Sequence, residues 1–461
     1  MRTTEARAQF LEVKNRRVSA LEESEDVAFG VRVLVDGAWG FAGSADATLA
    51  EAERCARLAA RIARASAKTR RAAVRLAAAP AVQGEWETPL AIDPFGVPLP
   101  DKIALLIDAT GRMESDPAVR VAKGGMHFWE ERKRFASSEG SRLAQRIVHS
   151  GAGLVATASG ADDVQVRSYP NSFGGQYESG GYELIERLDL PGHAAETAAT
   201  AAALLVAPRC PAGVTTIILD GSQVSLQIHE SCGHPAELDR ALGHEANFAG
   251  TSFLLPEALG RLAYGSSVVN LVSDSLAPRG LGTFGFDDEG VAARRADLVR
   301  AGTFVGYLTS RETAAMLGQV SNGTMRAANA AHLPLIRMTN VNLEPGTWKF
   351  DDLIADTDDG ILMVTNRSWS IDDRRYNFQF GTEAGYEIRN GKVGRLLKNC
   401  TYTGITPAFW GSCDAVCDAS DWEIWGTPNC GKGQPGQSMR TSQGASSARF
   451  RNVQVGVGAA G

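Results

Sequence analysis

The first part of the chain alternates between strand-like and helix-like spacings of its hydrophobic residues. Apolar and polar positions alternate from about residue 28 to 42, and the dipeptide Asp36-Gly37 inside this run favours a tight hairpin turn. Thr48 precedes a segment, residues 51–62, whose apolar positions recur at helical spacing. The pattern therefore predicts a β-hairpin followed by a capped helix.

The same mixture continues to about residue 210. Short alternating runs over residues 125–167 predict a meander of strands, and the Ala-rich run from His193 to Val206 predicts a helix. Prolines at positions 208 and 211 follow this helix and are typical of a connection. We therefore predict an N-terminal α/β domain, built of a sheet and helices, over residues 1–210.

Beyond residue 210 the pattern indicates mostly strands. Residues 214–219 form an apolar run typical of a buried strand, and the later apolar runs are short and separated by turn residues such as Asn390-Gly391. The acidic run 287–290 is expected to be a solvated turn, the alternative being a wall of the site. The short runs are 304–308, 335–338, 361–364, 376–381, 386–388 and 395–397. This predicts an α+β fold whose C-terminal domain, residues 211–461, is a mostly antiparallel barrel or sandwich carrying one helix that bears the metal site.

That helix is predicted directly after the 214–219 strand, with Ser222 as its N-terminal cap. It contains His229-Glu230, followed by a second histidine, His234. Neutral imidazoles are good zinc ligands, and a glutamate beside one of them can deprotonate a metal-bound water. We interpret the motif as a metal site, the alternative being two surface histidines on a helix.

The spacing of the two histidines requires a distorted helix. His229 and His234 are five residues apart, which is about 140° around a regular helix, whereas a spacing of four is about 40° and leaves both on one face. One inserted residue can be absorbed as a π-bulge, and such bulges are frequent at functional sites. Gly233 makes the backbone compliant and Pro235 lacks the amide that would continue the helix. We therefore predict a helix disturbed around its second ligand.

Composition narrows the class of protein. The chain has 461 residues, 44% hydrophobic and 22% charged, which is typical of a soluble globular protein with at least two domains. A net charge of −6 without a Lys/Arg run argues against nucleic acid as a partner. No stretch approaches the roughly 20 apolar residues of a membrane span, and the first twenty residues do not resemble a signal peptide. Seven scattered cysteines favour free thiols and a cytoplasmic location.

A catalytic zinc usually takes three protein ligands and a water, so a third ligand has to come from elsewhere in the chain. The candidates downstream are the four late cysteines, His244, His332 and several carboxylates. Cys413 and Cys417 are four residues apart, a spacing that fits a metal pair or two neighbours on a helix equally well. Spacing alone does not decide between them.

Cys430 is ranked first among these candidates. It lies in the glycine-rich segment 429–437, which would let the backbone approach a metal, and Lys432 is near enough in sequence to favour a thiolate. The tail from Gly411 onward is rich in Gly, Ser and Cys, so it is either held by specific contacts or mobile.

Several runs of the sequence resemble the TldD/PmbA family of metallopeptidases. The resemblance covers most of the chain, weakly at its beginning and strongly from about residue 220 onward. The runs that carry it are 229–239, 249–253, 287–291, 332–334, 337–340 and 430–432.

The resemblance implies a zinc-dependent peptidase with two similar-sized domains, the second mostly β. Carried over position by position, it makes His229, His234 and Cys430 the zinc ligands and Glu230 the catalytic base. The family pairs a TldD-type subunit, which carries the motif, with a PmbA (TldE)-type subunit that lacks it, and some members form homodimers. With its motif intact, this chain resembles the catalytic type.

Two hypotheses about function follow. In the first, the chain is a peptidase that hydrolyses unstructured peptides, for example in precursor processing or peptide degradation, with a zinc-bound water activated by Glu230. In the second, it is a non-catalytic peptide-binding or assembly subunit whose metal is structural. A closed structural site has no need of Glu230, which favours the enzyme. Cys413 and Cys417 match nothing in the family pattern and have no predicted role.

Overall fold

A computed structural model describes residues 1–433 and 436–456; Gln434 and Pro435, which belong to the predicted loop 429–437, lie outside the described residues. The N-terminal part is a large sheet with helices packed against it. Its strands are β1 (Arg2–Lys14), β2 (Arg17–Val35), β3 (Ala38–Ser44), β4 (Gln83–Glu87), β5 (Val119–Ala136), β6 (Arg142–Ser159), β7 (Val164–Tyr169) and β8 (Gln176–Ser179). Its helices are α1 (Leu49–Ala67), α2 (Leu99–Met113), α3 (Glu183–Leu188) and α4 (Leu190–Val206).

The sheet runs in the order β3-β2-β1-β5-β6-β4, with β7 and β8 also paired to β6. Its pairs are antiparallel except for β4 with β6. Met126 and Phe128 alternate with less buried residues along β5 and join Leu106 of α2 and Leu190 of α4 in one core. The predicted meander and the Ala-rich helix are both present.

The predicted hairpin and capped helix are also confirmed. Asp36 and Gly37 join β2 to β3 with φ values of 49° and 69°, the left-handed conformation that a tight hairpin turn requires. The Thr48 side chain accepts the backbone N–H of Glu51 at the start of α1. Ile62 is 38% exposed, so the buried stripe of α1 is narrower than the periodicity predicts.

The C-terminal part is rich in strands. These are β9 (Gly213–Leu219), β10 (Leu271–Asp274), β11 (Arg295–Arg300), β12 (Thr303–Phe304), β13 (Met325–Arg326), β14 (Leu335–Ile336), β15 (Val341–Leu343), β16 (Asp359–Ile371), β17 (Asn377–Arg389), β18 (Lys392–Leu397), β19 (Thr401–Ile405), β20 (Cys413–Val416), β21 (Glu423–Lys432), β22 (Gln437–Ala445) and β23 (Ala448–Val455). The helices are α5 (Gly221–Ile228), a π-helix (His229–Gly233), α6 (Leu238–Ala241), a 3-10 turn (Pro256–Ala258), α7 (Arg311–Met316), α8 (Phe350–Ala355) and α9 (Thr406–Gly411).

Five of these strands close into a barrel. They follow the order β16-β9-β23-β19-β17, and β17 pairs again with β16. Only β16 with β9 is a parallel pair in this ring. The mixed fold and the barrel are therefore confirmed, although the predicted runs 376–381 and 386–388 belong to one long strand, β17. The tail as described is held in place by β20 to β23.

The predicted boundary between residues 210 and 211 falls in the connection from α4 to β9. Among the described residues, no helix is both long enough and apolar enough to cross a membrane.

The acidic run 287–290 is not a solvated turn. Asp287 and Asp288 are 4% and 6% exposed. Asp287 accepts backbone N–H groups from Glu289 and Val291, while Asp288 pairs with Lys133 of β5 at 2.8 Å. The run is a buried junction between the two parts of the chain, a role that a sequence of consecutive acids does not reveal.

His127, on β5, should make the free energy of unfolding depend on pH. Burial, and then the positive charge of Arg440, lower its pKa from 6.5 to about 3. Since the folded-state pKa lies below the unfolded value, the stability contributed by neutral His127 is present above pH 6.5 and is lost as the pH falls toward 3. His127→Phe, which keeps the ring stacked on Trp129, should therefore lose about 2 kcal/mol less unfolding free energy than wild type between pH 7 and 5. Urea denaturation at both pH values measures this. An equal loss in both proteins would contradict it, and His244→Gln, at an exposed histidine, is the control.

Candidate metal centre

The N-cap of α5, the helix that leads into the predicted motif, is Asp220 and not Ser222. Asp220 follows β9 directly, and its side chain accepts the backbone N–H of Gln223 at 2.9 Å. Ser222 instead donates its hydroxyl to the Asp220 carboxylate at 2.7 Å. The prediction of a Ser222 cap was wrong because both residue types are good caps and only the position of the strand end decides between them.

The predicted distortion lies where the motif begins. The α-helix ends at Ile228, and His229–Gly233 form a π-helix in which the N–H of His234 donates to the carbonyl of His229 at 3.2 Å. This wider turn compensates for the five-residue spacing, since the imidazole rings of His229 and His234 lie with centroids 4.9 Å apart.

Gly233 has a role beyond backbone compliance. A Cβ atom on Gly233 would lie 2.0 Å from the sulfur of Met338, so a larger residue would force the Met338 side chain to move. Met338 is fully buried in the core of the C-terminal part. Close packing therefore favours glycine here, inside the π-helix that positions the second histidine.

The structure brings His229, His234 and Cys430 together. Their ligand atoms all lie within 4.8 Å of one another, and the Cys430 sulfur is 3.5 Å from Nε2 of His234. Cys430 is on β21, opposite Met439 of β22, which turns the sulfur toward the π-helix. Each of these three side chains is about 4% exposed. The centre is thus a buried cluster of two nitrogens and one sulfur.

The charges around the cluster suit a thiolate at Cys430 and a neutral imidazole at His234; at His229 burial is outweighed by Cys430 and Glu230, which raise the pKa of that imidazole. Burial alone would raise the pKa of the Cys430 thiol, but His234, His229 and Arg337 hold it well below its usual range. Burial lowers the pKa of His234 far below its usual value, with a contribution from Arg375. A thiolate and a neutral imidazole are the forms that bind metal.

His234 is oriented by a buried carboxylate. Its Nδ1 lies 3.1 Å from Oε2 of Glu237, which leaves Nε2 for the cluster. Glu237 is fully buried and also lies 3.2 Å from the ammonium of Lys432. This arrangement fixes both the ring orientation and the tautomer of His234.

Lys432 does not have the predicted role beside the Cys430 thiolate. Its ammonium contacts the carboxylates of Asp239 and Glu245 as well as Glu237. Arg337 is instead the cation next to Cys430: it is fully buried and donates to the carbonyls of Cys430 and Gln437. Side chains two apart on a strand share a face, but the long side chain of Lys432 carries its ammonium to these three carboxylates, so sequence proximity was a poor guide to charge proximity.

Glu230, the predicted base, is 6% exposed and lies beside the cluster on the π-helix. Its carboxylate accepts a hydrogen bond from Nη1 of Arg375, which lies in the turn between β16 and β17. A carboxylate is a base of the kind that can take a proton from a water molecule.

The other candidate ligands lie elsewhere. His244 is exposed, and His332 is held by the side chain of Asn329 at 2.7 Å. Cys413 begins strand β20 and Cys417 follows it, so their spacing is neither a metal pair nor a helix turn. The two cysteines are buried in separate hydrophobic clusters.

Three residues at the centre were not assigned a role from the sequence. Glu237 is three residues after His234, one helical turn away, and this spacing could have indicated it. Arg337 lies in one of the family-like runs but without an assigned role. Arg375 lies in no motif, and only the fold brings it to Glu230.

The residues present fit a zinc ion. Nδ1 of His229 is buried and has no hydrogen-bond partner among the described residues, as expected for an imidazole at a metal centre. Two imidazoles and one thiolate would leave the fourth tetrahedral position open, which is the arrangement of catalytic zinc sites.

Three family models match the chain. The PmbA/TldA metallopeptidase C-terminal domain matches residues 212–457, and domain 1 and the central domain match residues 3–63 and 92–206. A metalloprotease of Methanothermobacter thermautotrophicus is 29% identical over 99% of this chain and 94% of its own. A Saccharolobus solfataricus protein named zinc metalloprotease TldD homolog is 26% identical over 53% of this chain and 52% of its own.

Solved structures share the whole fold. The crystal structure of TldE from Thermococcus kodakarensis has a TM-score of 0.75 at 16% identity, covering 99% of this chain and 96% of that one. A Thermotoga maritima protein has a TM-score of 0.78 at 17% identity, covering 99% and 95%. At these identities the likeness concerns the fold.

Proposed function

The chain belongs to the PmbA/TldA metallopeptidase family, and on this premise we propose that it is a zinc-dependent peptidase that hydrolyses unstructured peptides. The family membership implied by the sequence motifs is thereby confirmed. The observation that carries the proposal is the convergence of His229, His234 and Cys430 beside the buried carboxylate of Glu230.

Under this proposal the three metal ligands and Glu230 have different roles. His229, His234 and Cys430 would hold a zinc ion, which, when bound, polarises the scissile carbonyl and makes water more acidic. Glu230 takes a proton from the water that attacks the carbonyl carbon and passes it to the leaving nitrogen. The C–N bond breaks, giving a carboxylic acid and an amine. Glu237 keeps His234 oriented throughout.

The burial of the centre supports extended peptides as substrates. His229, Glu230, His234 and Cys430 are each only 4–6% exposed. A single extended chain is narrower than a folded domain and needs less space to bring its backbone to a buried site. We therefore propose unfolded or extended peptides as substrates, in precursor processing or peptide degradation.

The proposed partner is a TldE/PmbA-type paralogue that lacks the motif, in a heterodimer; a homodimer is the alternative. Light scattering of the chain alone and mixed with such a paralogue distinguishes the two. The cytoplasm is the proposed compartment, in keeping with seven cysteines that are free thiols.

Metal removal tests the proposed function. The purified chain should contain about one zinc per centre, measured by elemental analysis. 1,10-Phenanthroline should stop cleavage of an unfolded polypeptide such as casein, and added Zn²⁺ should restore it, because the ion supplies the polarising charge. A compact protein such as native lysozyme, as the control, should not be cut.

Cleavage should be assayed for the chain alone and with the paralogue. A zinc-loaded chain that cleaves nothing in either form would refute the peptidase. It would favour the alternative, a peptide-binding subunit with a structural metal.

A further inference from the structure

The turn between β16 and β17 holds one residue in an unfavourable backbone conformation beside the metal centre. Arg375 has a φ of 63°, in the left-handed region. Its N–H donates to the carbonyl of Asp372 at 2.9 Å, and its carbonyl accepts the hydroxyl of Thr406 at 3.0 Å. Such a conformation persists where the surrounding structure enforces it; eleven other non-glycine residues of the described chain also have a positive φ, so it reflects the turn and does not by itself mark a site.

The backbone of Arg375 directs its side chain into the centre. The side chain of Arg375 is 17% exposed, and its Nη1 donates to Oε2 of Glu230. Arginine frequently binds a carboxylate through two parallel hydrogen bonds. Here the contact with Glu230 is through one nitrogen only.

The remaining hydrogen-bonding capacity of Arg375 is unused. Its Nε is buried and has no partner among the described residues. A buried N–H group without an acceptor is costly, so this group can donate to a molecule that enters the centre. In the proposed peptidase the scissile peptide bond lies close to Glu230, which activates the attacking water, so its carbonyl oxygen is the acceptor that we assign to Arg375.

We propose that Arg375 is a catalytic residue that donates a hydrogen bond to the scissile carbonyl oxygen as negative charge develops on it, while Nη1 keeps Glu230 in place. This role rests on the proposed peptidase function. No new bond-making step is involved: Arg375 stays protonated, and the proton of the attacking water still passes through Glu230 to the leaving nitrogen.

The fixed position of Arg375 is what makes the role effective. A donor held by the fold in a buried site needs little reorganisation when charge develops, and removing one such donor lowers kcat by about 10²–10³-fold. The interaction strengthens only in the transition state, so KM should change little.

The experiment compares variants of the zinc-loaded protein in its active assembly. Arg375→Asn removes the guanidinium and suits the left-handed backbone, and it should lower kcat by about 100-fold or more with KM and zinc content unchanged. Arg375→Lys keeps the charge but not the planar fork, so it should retain an intermediate kcat. Methylguanidinium should partly restore kcat in Arg375→Asn and not in Glu230→Gln. Arg374→Gln, at the exposed neighbouring arginine, is the matched control and should behave like wild type.

Three results would overturn the role of Arg375: an unchanged kcat in Arg375→Asn, an effect confined to KM, or loss of zinc in both variants. The last would make Arg375 a structural residue. Absence of cleavage by the zinc-loaded wild type is a different outcome, because it refutes the proposed function itself.

Discussion

Glu230→Gln should leave the protein folded and zinc-loaded while lowering kcat by about 10²–10⁴-fold, the usual contribution of a general base. Glutamine keeps the size of the side chain and still offers an oxygen to Nη1 of Arg375. It lacks the negative charge needed to accept a proton from water. Loss of kcat without loss of metal would separate the base from the ligands.

Steady-state kinetics and elemental analysis on the same preparation measure this. Glu257→Gln, at an exposed glutamate of the 3-10 turn, is the matched control and should cleave at the wild-type rate. If Glu230→Gln cleaved as fast as wild type, the proton would have to be taken by another group and the proposed mechanism would be wrong.

Cys430→Ser should have the second large effect, on zinc affinity. Losing a hydrogen-bond partner of a ligand typically costs 10–100-fold in metal affinity, so losing the thiolate itself should cost more than about 100-fold. A serine hydroxyl does not ionise near neutral pH, even beside Arg337 and two histidines, and therefore does not replace the sulfur.

The chain offers two matched controls. Cys413→Ser and Cys417→Ser make the same chemical change at buried cysteines that lie outside the cluster. Competitive zinc titration of the three variants side by side should show wild-type affinity for both controls. Equal affinity for Cys430→Ser and wild type would mean that the third ligand is another residue.

The local chemistry of the centre could be predicted from the sequence because it depends on residues close together in the chain. His229, Glu230 and His234 lie within six consecutive positions, and their spacing predicts the π-helix that the structure contains. The Asp36-Gly37 hairpin is equally local. In each case a few backbone angles decide the result, and the residue types that allow those angles are visible in the sequence.

The rest of the centre was decided by tertiary structure. Cys430 is 196 residues from His234, and only the register of β21 and β22 turns its sulfur toward the π-helix. The sequence ranked Cys430 first by its glycine-rich surroundings, without excluding its competitors. Lys432 was assigned to the wrong partner, because three carboxylates distant in sequence from it, Glu237, Asp239 and Glu245, surround its ammonium.

Arg375 shows the same limit most clearly. It is 145 residues from Glu230 in the chain and lies in no recognisable motif. Arg375 lies in the short turn between β16 and β17, and its contact with Glu230 comes from the packing of that turn against the π-helix, not from the hairpin itself. The sequence by itself determined the positions of residues that depend only on the neighbouring backbone. Contacts between elements far apart in the chain depend on how those elements pair and pack, and no local pattern of residues encodes that arrangement.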